Sequence, residues 1–246
     1  MFTRTLVRCL SLTAVSVVTL SGCGGDPSPK KSGARSPSAS PSPTTAPPTF
    51  SAAALRTKLV TPAEIGSGVK ATSTVADFYR NGQIPVCSLE SMSPGGTFDA
   101  LIKQYENGKK GKREVRYAQL VATFPSVPDA TAAFGRIEKK LKSCRPKNFV
   151  PTKKISQHEI RFSHNDVWQL TEPASTGWRH LRGIETQKYA RSISKGNWLR
   201  ITYDYAIRGN VLLATVYLGR TDPDEQATSI EQHAAQLFDT QIRKIG

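Results

Sequence analysis

The sequence predicts an α+β domain, an antiparallel β-sheet covered by helices, standing behind a signal peptide and a disordered stalk. Three observations carry that prediction. The apolar pattern runs helix, strand, helix, several sequential strands, helix, an order that suits helices laid on an antiparallel sheet. Residues 198–207 alternate in hydrophobicity, Arg208-Gly209-Asn210 turns the chain and Val211 to Leu218 returns, which marks a long hairpin. Residues 24–50 contain no pattern from which a core could be built.

Residues 1–22 read as the signal. Arg4 and Arg8 form a basic start, and Cys9 to Leu20 is an apolar run too short for a bilayer of ~30 Å. Leu20-Ser21-Gly22-Cys23 follows and resembles a bacterial lipobox, in which the cysteine thiol is acylated and becomes the new N-terminus. Cys23 is therefore the expected lipidation site, and the extracytoplasmic face of the cell membrane the expected location. Residues 23–50 continue as a linker, and positions 24–50 hold seven Pro, six Ser and three Thr, too polar to repay the entropy of ordering. Proline favours an extended chain of ~3.1 Å per residue, so the linker reaches up to roughly 80 Å.

Residues 51–246 form the folded domain. Residues 51–59 favour helix, and Thr61-Pro62-Ala63-Glu64 has the cap, N1 proline and N3 acid of a short helix ended by Gly66. Residues 67–96 are loop-like, with a short helix predicted over Phe98 to Tyr105. Residues 113–124 read as a strand with Ala118, Leu120, Ala122 and Phe124 on one face and Tyr117, Gln119, Val121 and Thr123 on the other. A helix capped by Ser126 then carries the stripe Ala130, Phe134, Ile137, Leu141 and Cys144. Strands are predicted near 150–162, 165–172 and 178–190. In the hairpin, Leu199, Ile201, Tyr203, Tyr205 and Ile207 alternate with polar residues, and Val211 to Leu218 returns apolar on both faces, as a central strand would. Asp222-Pro223-Asp224-Glu225 opens a last helix with the stripe Ala227, Ile230, Ala234, Leu237 and Ile245.

Charge and cysteines bound the chemistry. The chain carries a net charge of +15, of which +11 lies from Ser51 onward. Held on a membrane, such a domain is drawn to anionic lipid or envelope polymer, and no nucleic-acid motif is present. Cys87 and Cys144, an even pair in an oxidising compartment, are expected to form one structural disulfide.

Lys109, Lys110, Lys112 and Arg113 form an exposed basic loop, and Arg179, His180 and Arg182 lie beside Trp178; these are the candidate anion- or ligand-binding residues. His158, His164 and Asp166 share strand parity, but His164-Asn165-Asp166 reads as a turn and no ligand spacing supports a metal. There is no Gly-x-Ser-x-Gly elbow, and no Ser-x-x-Lys opens a helix. Neither catalysis, cofactor nor metal is expected. Tyr203, Tyr205 and Tyr217 are read as sheet packing.

Several stretches together resemble one family. They are Leu59-Val60-Thr61-Pro62-Ala63-Glu64-Ile65-Gly66, Ala122-Thr123-Phe124, Asp129-Ala130 with a helix ending in Cys, and Arg208-Gly209-Asn210-Val211. The pattern is similar to the PknH-like extracellular sensor domain of actinobacteria, found on receptor kinases and small lipoproteins. The resemblance implies an α+β fold with a cleft for an unknown ligand and no catalysis. That family often has two disulfides, whereas this domain can make one. The expectation is a lipid-anchored binding or sensor module for an envelope or exported ligand. The alternatives are a cell-envelope hydrolase or an accessory partner of another membrane protein, on which signalling across the membrane would depend.

Overall fold

The structure is a computed structural model, and it describes residues 46–72, 79, 82–154, 160–192, 198–222 and 228–246. The signal, Cys23, His158, Ala227 and the residues following Asp222 at the head of the last helix lie outside the described residues.

In chain order the elements begin with α1 (Ala52–Leu55), a 3₁₀ turn, and α2 (Pro62–Ile65), followed by β1 (Lys70–Ala71), β2 (Ile84–Pro85), β3 (Ser91–Met92), β4 (Asp99–Glu106) and β5 (Val115–Thr123). Next come α3 (Val127–Lys142), β6 (Lys147–Val150), β7 (Lys153–Lys154), β8 (Ile160–Arg161), β9 (His164–Thr171) and β10 (Arg179–Tyr189). The chain closes with β11 (Trp198–Arg208), β12 (Val211–Thr221) and α4 (Thr228–Ile245). No helix among the described residues is long and apolar enough to cross a membrane.

Eight strands form one antiparallel sheet in the order β1-β4-β5-β12-β11-β10-β9-β6. β12 is central, as its two apolar faces require, and it is buried from Val211 through Gly219. The period of two assigns the faces. Ala118, Leu120, Ala122, Ile201, Tyr203, Tyr205, Leu212 and Ala214 pack with Ala130, Phe134, Ile137 and Leu141 of α3. On the other face, Val121, Val211, Leu213 and Ala206 pack with Phe238 and Ile245 of α4 and with Leu55. Ser126 Oγ accepts from Asp129 N–H, and Thr61 with Glu64 forms the capping box that starts α2.

Two predicted elements are corrected. Phe98 to Tyr105 is not a helix: Asp99–Glu106 is strand β4, paired with β5 over its whole length and with β1 at Tyr105 and Glu106. Pairing with β5 along the whole strand, with Tyr105 stacked on Tyr117, outweighs a weak local helical preference. His164-Asn165-Asp166 is not a turn but the start of β9, paired with both β6 and β10.

At the opposite end of the sheet from those residues, the β11–β12 turn receives the incoming linker. Asn210 Oδ1 accepts from Phe50 N–H at 2.7 Å, and Asn210 Nδ2 donates to the carbonyls of Phe50 and Phe124. A Cβ on Gly209, at φ +56°, would fall 1.7 Å from the Pro48 carbonyl oxygen, so only glycine fits the turn.

Candidate functional site

The site grows from a short turn on the α3 face. Cys87–Leu89 is a 3₁₀ turn in which Ser88 (φ 57°) and Leu89 (φ 51°) both take the left-handed conformation. For non-glycine residues this costs on the order of 1–3 kcal/mol each. The turn is held by the Cys87–Cys144 disulfide, which ties it to the end of α3. Cys144, just past the end of α3, is half-buried and packs against the core beneath that helix, as its place in the predicted stripe implies.

Held this way, Ser88 reaches two carboxylates on the sheet. Its N–H donates to Glu185 Oε2 at 2.7 Å, and its Oγ donates to Asp166. Asp166 lies opposite Gln187 across β9 and β10, which places it diagonally from Glu185 on the same face. Glu185 also accepts from Tyr203 Oη (2.9 Å) and Gln187 Nε2 (2.6 Å), and Tyr189 Oη donates to Gln187 in turn. Burial, reinforced by the negative charge of Asp166, pushes the Glu185 carboxyl up to about 7 despite these three donors. His164 Nε2 lies 3.1 Å from Asp166 Oδ1, and its Nδ1 faces the Phe162 carbonyl at 2.8 Å. Desolvation works against its protonation, but Asp166 and that carbonyl outweigh it and raise the imidazole above its ordinary value.

Above this cluster opens a pocket of about 290 Å³, lined by Ser88, Asp166, Glu185 and Trp168, with Lys140 and Arg145 at its rim. The floor is acidic, one wall is aromatic, and the rim carries Arg145 beside the Lys140–Glu90 ion pair (3.0 Å). That combination suits a small polar ligand that offers hydroxyl or ammonium donors to the floor and an acidic group to the rim. Among the described residues, no group of three His, Cys, Asp or Glu side chains has metal-binding geometry.

The predicted binding residues fall elsewhere. Lys109, Lys110, Lys112 and Arg113 lie in the exposed β4–β5 loop, where Asn107 organises the backbone by accepting from Lys109 and Val115 N–H and donating to the Arg113 carbonyl. Lys112 pairs with Asp222 at 2.5 Å. The strand splits the second group. Arg179 lies on the α3 face, paired with Glu138 at 2.5 Å and set over the Phe134 ring. His180 and Arg182 lie on the α4 face, both bound to Asp204 Oδ1, at 2.8 and 2.6 Å. His180 also meets Ser175 Oγ at 3.0 Å, a hydroxyl–imidazole–carboxylate row. Because the imidazole is 4% exposed and stacked on Phe238, and its carboxylate is shared with Arg182, the row acts as a clasp between β10, β11 and α4. Tyr203, Tyr205 and Tyr217 are buried in the sheet, and the Tyr203 hydroxyl also serves the pocket. Ser88, Glu185 and Gln187 had no local signal, since Ser88 is separated from its two partners by 78 and 97 positions.

No protein-family model matches the chain, and none of the curated proteins is similar to it. Among solved structures, the extracellular domain of PknH from Mycobacterium tuberculosis aligns over 80% of this chain and 100% of its own, at 15% identity and a TM-score of 0.51. The chain has the fold of that domain. Looser overlaps occur with a protein of unknown function, PA94, from Pseudomonas aeruginosa (14% identity, 61% of this chain and 88% of that one, TM-score 0.32). An uncharacterized Mycobacterium smegmatis protein, an Rv0999 ortholog, overlaps at 10% identity over 75% of this chain and 83% of its own, with a TM-score of 0.31. The predicted α+β class and the PknH-like fold therefore hold, and so does the single disulfide.

Proposed function

We propose that this chain is a lipid-anchored extracytoplasmic module, tethered through Cys23 and the 23–50 linker, that binds a polar envelope or exported ligand in the pocket beside the disulfide and does so without catalysis. One observation carries the reading. A strained two-residue turn, locked by a disulfide, is spent on aiming one serine at two buried carboxylates under an open pocket. The shared fold with a kinase's extracellular domain supports a sensor-like role outside the cell, with a second membrane protein as the carrier of any signal.

Native mass spectrometry of the domain purified from an actinobacterial host tests the pocket. A reproducible small-molecule adduct on the wild type, lost in Asp166→Asn, is expected; an adduct indifferent to Asp166→Asn would place the ligand elsewhere. Cys23→Ala should release the protein from the membrane fraction, and continued retention overturns the anchor.

A second reading, a cell-envelope hydrolase, draws on the Asp166–Glu185 pair, since two carboxyl groups on one face, with Glu185 pushed up to about 7, suit acid–base work. Clearance of labelled wall or lipid substrate that disappears in Glu185→Gln would favour it over binding.

A further inference from the structure

The end of the sheet remote from the linker has an unusual surface. Among the described residues the exposed large apolar side chains are Phe149, Ile160 and Phe162, at 61%, 54% and 47% exposure. All three lie at this one end. The register runs Phe149 to Asn165 to Lys188 to Trp198 across β6, β9, β10 and β11, and Ile160 and Phe162 immediately precede His164 at the start of β9. A cleft of about 400 Å³ joins Phe149 to Lys147 and Lys188, and another of about 420 Å³ joins Ile160 and Phe162 to Arg161 and Lys110.

Cations outnumber acids around these side chains: the two clefts hold six lysines and arginines against Asp166 and Glu114. These acids and the nearby Asp222 are already committed: Glu114 to Arg116 and Arg220, Asp222 to Lys112, and Asp166 to Ser88 and His164. Lys109, Lys110, Arg113 and Arg161 have no acidic partner among the described residues, and Lys188 is set over the Trp198 ring.

We infer that this end of the sheet is a docking surface for an anionic lipid bilayer. A polyanion alone would satisfy the cations and leave three apolar side chains in water. The interface of an anionic bilayer satisfies both, taking Phe149, Ile160 and Phe162 into the acyl boundary while phosphates meet the lysines and arginines. Its reach is also adequate. Phe50 is bound at the far end of the sheet, and strands of 11 residues put the two ends about 36 Å apart. A chain of the length of residues 23–50 reaches roughly 80 Å at ~3.1 Å per residue, about twice that distance, so with the Cys23 anchor of the proposed function the domain can lie against the same membrane.

The test uses the chain without residues 1–23, because every described core residue lies beyond that point. This keeps it independent of the Cys23 anchor, and none of Phe149, Phe162, Lys109 and Lys110 lines the pocket. Sedimentation with vesicles of phosphatidylcholine alone or mixed equally with phosphatidylglycerol should show about tenfold tighter binding to the anionic ones, falling with added salt. The double variant Phe149→Ser/Phe162→Ser keeps the charge and should lose about tenfold in vesicle affinity, while leaving its far-ultraviolet spectrum intact. Lys109→Glu/Lys110→Glu should lose the preference for phosphatidylglycerol. Equal binding to both vesicles overturns the inference. So does a double-serine variant that binds anionic vesicles as well as the wild type, or soluble polyphosphate binding that matches the vesicles, since either makes this a polyanion surface only.

Discussion

Two clusters of buried polar side chains sit on opposite faces of the same sheet and are built on different terms. On the α4 face, Gln119 and Gln241 close around the backbone of Val60: both side-chain oxygens accept from its N–H, Gln119 Nε2 donates to its carbonyl, and Gln241 Nε2 donates to Lys58. Tyr105 Oη completes the carbonyl of Val60. On the α3 face, Ser88, His164, Asp166 and Glu185 crowd two carboxylates together, with left-handed backbone above them and a pocket beyond. An amide both donates and accepts, so neutral groups complete one another with no charge to desolvate. A carboxylate only accepts, so its donors must be brought from elsewhere and its charge remains. The first cluster docks the N-terminal segment on the sheet. The second stores strain and charge where a ligand can reach them.

The disulfide should separate the two most sharply. Its loop of 57 residues stabilises the fold by about 4 kcal/mol in the chain-entropy model. Cys87→Ala with Cys144→Ala should cost about that much in urea unfolding and deprotect the Ser88 amide to hydrogen exchange, while the Val60 amide keeps its protection relative to the global value. Equal loss at both amides would erase the distinction between the clusters.

Acidity is the next test. Glu185 titrates at about 7 in the fold against 4.5 for the ordinary group. Its contribution is therefore fully present below about 4.5 and is lost as pH rises to about 7, a swing of ~3 kcal/mol. Glu185→Gln should flatten stability over that window and make the protein more stable than the wild type above it. An unchanged pH profile would mean that the carboxyl is ionised in the fold.

Gln119→Leu should cost roughly 1–3 kcal/mol, because it strips a donor from the Val60 carbonyl, and the loss should not vary with pH. A loss that tracked pH between about 4.5 and about 7, the window of Glu185, would couple the two faces through the sheet. The smallest effect isolates the strained turn. Ser88→Ala and Ser88→Gly both lose the hydroxyl, but glycine tolerates φ 57°, so the glycine variant should be more stable by ~1 kcal/mol. Equal stabilities would show that the turn relaxes once Asp166 is released.

The sheet's centre and its covering helices were legible because their signals are local. Alternation in Ala118–Phe124, the turn at Gly209-Asn210, the Ser126 cap and the stripe from Ala130 to Leu141 each lie within a few turns or a strand of themselves. β4 was not legible, because Asp99–Glu106 becomes a strand only by pairing with β1 and β5. The turn read at His164-Asn165-Asp166 failed for the same reason, since two neighbours hold those polar residues extended.

By itself, then, the sequence determined the architecture, the Cys87–Cys144 pairing and the excess of positive charge, all of which follow from periodicity, compartment and composition. Only the tertiary structure decided that Ser88 would meet Asp166 and Glu185, that Arg179 would part from His180 and Arg182, and that Phe149, Ile160 and Phe162 would gather at one end. The physical reason is that residues far apart along the chain have no local energy linking them. Sheet register and the faces that α3 and α4 cover set which side chains meet and which are left exposed.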